Sequence, residues 1–455
     1  MHTGVEQRLR IAMRVSVRDV TVPDDLPVRI ERRIVVRRRR AVGARVAAGT
    51  LVVAALAATA LVARHSGSAT EVLPPAVGTP SEGTWTPLPE APLSPRFQHA
   101  AVWTGAEMIV FGGYDGGEGG EGGAAAYSPA TGAWRRVASP PGDVEGAPVA
   151  VWTGTEVVAF GGEHDDTTHG AIYDPRTDDW RTIAESAFGH VNSSVAHATW
   201  TGERVLVAGS FRPGEDGGGD GAALYDPATD TWTMLPDAPA GHPSFTGAVW
   251  TGAELVVVGP EPGDGAHAPQ RMLAVALDPA AERWRTLPAP PLAVRGQPLV
   301  AWTGREVVVG GGHAFGSAGL VPGDADAAAF DPVTSTWRPL PDAPVAFQGN
   351  ERYGGLAVGG QVVALDTADP DGRVLVLDPA SGAWRLATGP NRPELTAPRE
   401  VPGRREAPVV STGTALLVWG GGVAEAEGGG GSWGCCRPVG EGVLFTPPSA
   451  DAPPR

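Results

Sequence analysis

Apolar residues in this chain come in short unbroken runs, and the runs share a preface. MIVF, VVAF, VLVA, LVVV and VVVG each follow Trp-Thr-Gly and two further residues, within Ala101–Tyr114, Ala150–Glu163, 198–210, 248–260 and 300–312. An apolar run of this length between turn signals predicts a strand buried on both faces. Two looser copies follow, LAVGGQVVALD (356–366) and VVSTGTALLVWGG (409–421). The turn glycines Gly105, Gly154, Gly202, Gly252, Gly304, Gly360 and Gly413 stand 48 to 56 residues apart. Self-similarity at that period predicts a propeller or an array, because no single unit can bury both of its faces.

Each copy has a second half. YDPATDTWTMLPDAP (225–239) is the clearest, and IYDPRTDDWRTI, ALDPAAERWRTLP, AFDPVTSTWRPLP and VLDPASGAWRLA repeat it. AYSPATGAWRRV carries Ser128 in place of the aspartate. One repeat therefore reads as four short strands. The first ends at Trp-Thr-Gly, where glycine permits the turn. The third ends at aromatic-Asp-Pro, where Asp bonds nearby backbone and Pro presets the turn. The fourth starts at the following Trp. Seven third-strand ends are present (Tyr127, Tyr173, Tyr225, Leu277, Phe330, Leu377 and Phe445), but only six such Trp follow them. The seventh is Trp85, at the front of the repeats. The expected fold is all-β, a seven-bladed propeller over 85–447 in which an N-terminal strand completes the last blade. Residues 448–455 form a short tail with no predicted element.

A Gly-Gly pair ending the second strand, an aromatic-Asp-Pro turn and a Trp just beyond it resemble the kelch repeat, from Trp85 to about Pro447. The resemblance implies a binding module or, alternatively, a carbohydrate-acting enzyme, since kelch propellers include copper oxidases and sugar isomerases. The oxidases need a Cys-linked Tyr, a second Tyr and two His. Here Tyr127, Tyr173 and Tyr225 fill the structural slot, leaving Tyr114 and Tyr353, and the thiols Cys435 and Cys436 are adjacent. That departs from the oxidase pattern, and no cofactor is expected. Axial Arg, His and Glu keep the isomerase alternative open.

Ahead of the repeats, Val46–Ala63 is an uncharged run of 18 residues between Arg45 and Arg64. As a helix it would span about 27 Å, close to the thickness of a bilayer core. Residues 1–45 hold 12 Arg against 5 acidic residues, and the remainder 23 Arg against 46. The basic flank predicts a cytoplasmic head (1–45), a transmembrane signal anchor (46–63), a Pro/Ser/Gly-rich tether (64–84) and an extracytoplasmic propeller. Cleavage after Ala58 and Ala60 is the rival reading, against which the length of the leading segment argues. The acidic outer part excludes nucleic acid as a partner.

In a four-stranded meander the Trp-Thr-Gly and Asp-Pro turns share one face. The long, dissimilar connections between second and third strands share the other with the blade-to-blade links. Ligand chemistry is expected on that second face. Its links supply Arg96, His99, His190, His242, Arg295, Arg352 and Arg404, candidates to hold an anionic or sugar-like ligand. The alternative is that the Arg residues pair with blade carboxylates and the His residues satisfy loop backbone. EHDDTTH (163–169) has metal-ligand residue types without a standard spacing, and no metal site is expected. Cys435 and Cys436 are open to a vicinal disulfide, to free thiols or to intermolecular pairing. No nucleophile elbow, phosphate loop or zincin motif is present. The expected partner is a protein or glycan of the cell envelope, with the membrane contacted through the one helix.

Overall fold

The computed structural model describes residues 81–448, apart from 116–122, 145, 162–168, 186–189, 192–196, 213–218, 240, 244, 246, 263–270, 317–318, 323–324, 348–355, 366–373, 389–403, 406 and 425–435. The head, the span and all but the end of the tether lie outside the described residues. So do Arg352, Cys435 and most of 163–169. Among the described residues, no helix is long and apolar enough to cross a membrane.

Among the described residues, seven blade sheets follow one another along the chain, with two further three-stranded sheets beside the fifth and seventh. The first six occupy 100–137, 149–182, 197–234, 248–286, 299–340 and 356–388. The seventh combines Val409–Ser411, Leu416–Trp419 and Gly442–Thr446 with Thr84–Pro87 from the other end of the chain. The register repeats from sheet to sheet. Tyr127 faces Trp134, Tyr173 faces Trp180, Tyr225 faces Trp232, Leu277 faces Trp284, Phe330 faces Trp337, Leu377 faces Trp384 and Phe445 faces Trp85. Just before Thr84, Ser81–Glu82 adds a parallel strand to the outer edge of the sixth sheet, opposite Ala387 and Thr388.

The second strands are buried along their whole length in Met108–Phe111, Val157–Phe160, Leu255–Pro260, Val307–Gly310 and Leu416–Trp419. The cause is the arrangement of the core. Seven apolar clusters lie between neighbouring blades, so a second strand packs on both sides. One of them joins Met108, Val110 and Tyr127 of the first blade to Val410, Leu417 and Trp419 of the last. All-β structure with seven blades is thus the fold.

Local chemistry makes each blade. In Trp-Thr-Gly-x-Glu, Thr104 and Glu107 close a two-residue loop whose first position is Gly105, at φ 93°, and Thr104 Oγ1 accepts the Glu107 N–H at 3.0 Å. The sixth blade departs from this with a tighter Gly359-Gly360 loop, joining Val358 to Gln361. At the other hairpin Asp226 Oδ1 accepts the Ala228 N–H at 2.8 Å, and Asp174, Asp278, Asp331 and Asp378 act alike.

Across six of the seven seams a clasp joins the fourth strands. There a Trp indole N–H donates to a carbonyl at the end of the preceding blade's outer strand: Trp134 to Pro89 at 3.0 Å, Trp180 to Ala138 at 2.8 Å, Trp232 to Ala184 at 2.9 Å. Trp284, Trp337 and Trp384 hold Pro236, Pro288 and Pro341 in the same way. Two residues before each Trp the chain turns through left-handed backbone, at Gly132, Asp178, Asp230, Glu282, Ser335 and Gly382. The residue used there follows the residue held. Proline has no N–H, and opposite the held prolines stand Gly, Glu and Ser. Ala138 and Ala184 do have an N–H, which Asp178 and Asp230 accept at 2.9 Å each. The same carboxylates accept the Tyr173 and Tyr225 hydroxyls at 2.7 Å. These bonds, with the Ala138 N–H foremost, hold the Asp178 carboxyl below its usual range. Burial and the aspartates push the two phenols up.

One turn is therefore improvable and another is not. Glu282 sits exposed at φ 50°, opposite a proline that offers it no N–H to accept. Glu282→Gly should raise unfolding stability by roughly 0.5–1 kcal/mol. Asp178→Gly should lower it by about 2 kcal/mol, because a backbone N–H and a phenol lose their acceptor. Urea unfolding followed by Trp fluorescence separates the two.

Candidate functional site

The two ends of the blades are built differently. The turn end is short and regular, and charge pairs bridge it. Glu107 binds Arg135 through two bonds of 3.1 and 2.6 Å, and Glu254–Arg285 and Glu306–Arg338 repeat the arrangement. The Arg338 guanidinium holds the Glu306 carboxyl below its usual range.

At the opposite end, strands run on beyond the blade and pair with the incoming link. Phe97 bridges Tyr114 in the first blade. In the third, Val205–Arg212 and Gly219–Asp226 form a long hairpin, and His190–Val191 joins its edge. In the fifth, Arg295–Gly296 pairs with His313–Ala314, which pairs onward with Gly319–Pro322. In the seventh, Arg404–Arg405 pairs with Gly422–Val423, and Gly422–Ala424 with Cys436–Pro438. Blades three, five and seven thus raise three-stranded arms on this face.

The candidate residues fall into distinct places. Arg96 and Arg295 are 2% and 1% exposed and lie within the wall. Arg96 donates to the Ser94 carbonyl at 3.1 Å, to Ser94 Oγ at 2.9 Å and to the Gly112 carbonyl at 3.0 Å. Arg295 donates to the carbonyls of Ala293 at 2.9 Å and Gly311 at 3.2 Å, and pairs with Asp326. The two are register equivalents, each followed two residues later by a glutamine in left-handed backbone, Gln98 and Gln297. Where Arg96 has Ser94, Arg295 has Asp326 instead. Both guanidinium groups brace a link against the end of a second strand.

His99 is fully buried beside Trp419, with ring centroids 5.2 Å apart. His242 Nδ1–H donates to the Pro243 carbonyl at 2.8 Å, and its ring stands edge-on to Phe245 at 5.6 Å. His190 and Arg404 lie in the arm strands. Arg96 and His99, His242, and Arg295 thus stand on three different links, while Arg352 lies outside the described residues. Two histidines escaped the sequence reading, His313 in the fifth arm and His197 at the start of the third blade. Among the described residues, no group of three or more His, Cys, Asp or Glu is placed to hold a metal ion.

No protein-family model matches the chain. It is 28% identical over 316 residues to Kelch-like protein terF of Aspergillus terreus (strain NIH 2624 / FGSC A1156), covering 64% of this chain and 68% of that protein. The structure of YjhT matches over 66% of this chain and 99% of its own, with a TM-score of 0.46 at 14% identity. Seven blades in one register, built on the Gly-turn and Trp pattern with the Asp turn in the second to sixth, make the chain a kelch-repeat β-propeller.

Proposed function

We propose that the protein holds its propeller outside the cell on one N-terminal span, residues 46–63, and binds an envelope protein or glycan through the face that carries the arms. The observation that carries the binding reading is the contrast between the two faces. One is a ring of near-identical short turns, and the other bears three arms and connections that differ from blade to blade. Variable segments on a rigid frame are how scaffolds present binding surfaces. The basic head before the span and the acidic chain after it support the orientation. Closure of the ring by Thr84–Pro87 belongs to the same reading, since it ties the end of the tether to the outer edge of the last blade.

Tagged full-length protein, captured from detergent-solubilised membranes, should retain a partner. Replacing residues 213–218, which join Arg212 to Gly219 in the sequence, by Asn-Gly should cut that retention by about tenfold. Val333→Arg, at a 91% exposed position on the turn face, should leave it unchanged. Loss through Val333→Arg alone would move the binding surface to the other face. Protease added to intact cells should digest the propeller; a protected propeller would overturn the orientation.

A further inference from the structure

Two sets of tryptophans are used differently. Those of the clasps give their indole N–H groups to the neighbouring blade. Trp103, Trp152, Trp200, Trp250 and Trp302 instead end first strands, directly before the Thr-Gly turn. First strands are the innermost of each blade, and from the fourth blade round through the seventh to the third they lie side by side. The five indoles therefore form an arc at the inner margin of the turn face. Each is half-buried, packed against the cluster between its own blade and the preceding one. Among the described residues none of the five donates its N–H within the protein, and none of those nitrogens is sealed from solvent. At the same register the sixth and seventh blades carry Ala357 and Ser411, which leaves the arc open on that side. Ser411 turns aside, its Oγ–H donating to the Ala357 carbonyl at 3.0 Å.

Phe445 and Thr446 complete the third strand of the seventh blade on the same face, beside that opening. In the other six blades the third residue beyond the equivalent of Phe445 is exposed, as Val333 is. Pro448 stands there in the seventh and is buried, so the chain turns onto the protein. The run it belongs to, TPPSADAPPR (446–455), holds four prolines. Such a composition favours the extended polyproline conformation, whose carbonyls have no internal partner. Aromatic-lined surfaces take such segments, rings against proline and indole N–H groups on the free carbonyls.

We propose that the Trp arc is a binding site for a proline-rich extended peptide, and that residues 449–455 of this chain occupy it. The third strand stands two strands out from the first, roughly 10 Å at ordinary strand spacing. Residues 449–455 in the polyproline conformation extend about 22 Å, enough to pass Ser411 and reach the arc. The tether arrives at the same face, but Ser81–Glu82 and Thr84–Pro87 pair along the outer edges of the sixth and seventh blades, away from the axis. The site is separate from the arm face, and a partner's proline-rich segment enters it by displacing the tail.

A fluorescein-labelled peptide of residues 447–455, titrated into the full-length protein and into a variant ending at Pro448, tests this by fluorescence anisotropy. The shortened protein should bind about ten times more tightly or better, because the attached tail competes at an effective concentration on the order of millimolar. Trp103→Phe and Trp152→Phe in the shortened protein keep an apolar ring, and should weaken binding about two- to tenfold for each N–H lost. No binding to the shortened protein, equal binding to both, or binding untouched by the two Phe changes would overturn the proposal. Tighter binding of a peptide of residues 72–80 would overturn it in favour of the tether. Dimerisation of the full-length but not the shortened protein would overturn it in favour of a second copy's tail. Should the Phe variants fail to fold, hydroxyl-radical labelling of the full-length and shortened proteins decides. The five Trp should react faster once the tail is removed, and equal labelling is incompatible with docking.

Discussion

Arg295→Met should lower the unfolding free energy by about 3–5 kcal/mol, the largest effect expected of any single side chain here. The arginine is fully buried, and its removal leaves Asp326 and the Gly311 carbonyl without their donor. Methionine fills much of the space, so the loss reports the broken charge and hydrogen-bond set more than a cavity. A double variant with Asp326→Leu should cost clearly less than the sum of the two single changes, since the stranded carboxylate is then gone. Urea unfolding of the four proteins checks this. Additive losses would show that the pair contributes nothing of its own. The Arg135–Glu107 pair on the turn face is a useful contrast. Its arginine side chain is 44% exposed, and breaking it should cost no more than about 1 kcal/mol.

Gly113→Ala should cost about 3 kcal/mol or more. Two effects combine at this position. The backbone stands at φ 86°, a conformation that L-residues rarely adopt. A Cβ there would also lie 2.6 Å from the Phe97 carbonyl oxygen and 2.7 Å from the His99 Cβ, against main chain that cannot step aside. Gly105 has equally positive backbone, but a Cβ on it meets nothing within 4 Å. Gly105→Ala should therefore show the conformational part alone, about 1–2 kcal/mol. The difference between the two melting curves isolates the steric part. Equal losses would mean that the link moves away from the strand at little cost.

The fold was legible because its determinants are local. A two-residue glycine loop, an aspartate bonding the N–H two residues on and a Trp at a fixed offset are all visible in a window of fifteen residues. The clasp was not read there, although Leu-Pro alternates with Val-Ala and Ile-Ala at the ends of the outer strands, because its acceptor is a backbone carbonyl of another blade. The chemistry of the links was much less so. Arg96 and Arg295 stand where an axial ligand would want cations, and nothing in their own neighbourhood announces that both guanidinium groups turn back onto carbonyls sixteen residues away. A backbone acceptor carries no side-chain signature.

The proposed closure, with Thr84 opposite Thr446, sets an order of events on the ribosome. At ordinary synthesis rates Trp85 waits about 20–70 s for Phe445 to be made. Throughout that time the first six blades can form from the residues already emerged, because each is continuous in sequence. The seventh cannot, whatever its local preferences, until Phe445 has been made. The nascent protein is consequently an unclosed arc, with apolar surface bare at both of its ends. A factor that shields strand edges would be needed at that stage and at no later one.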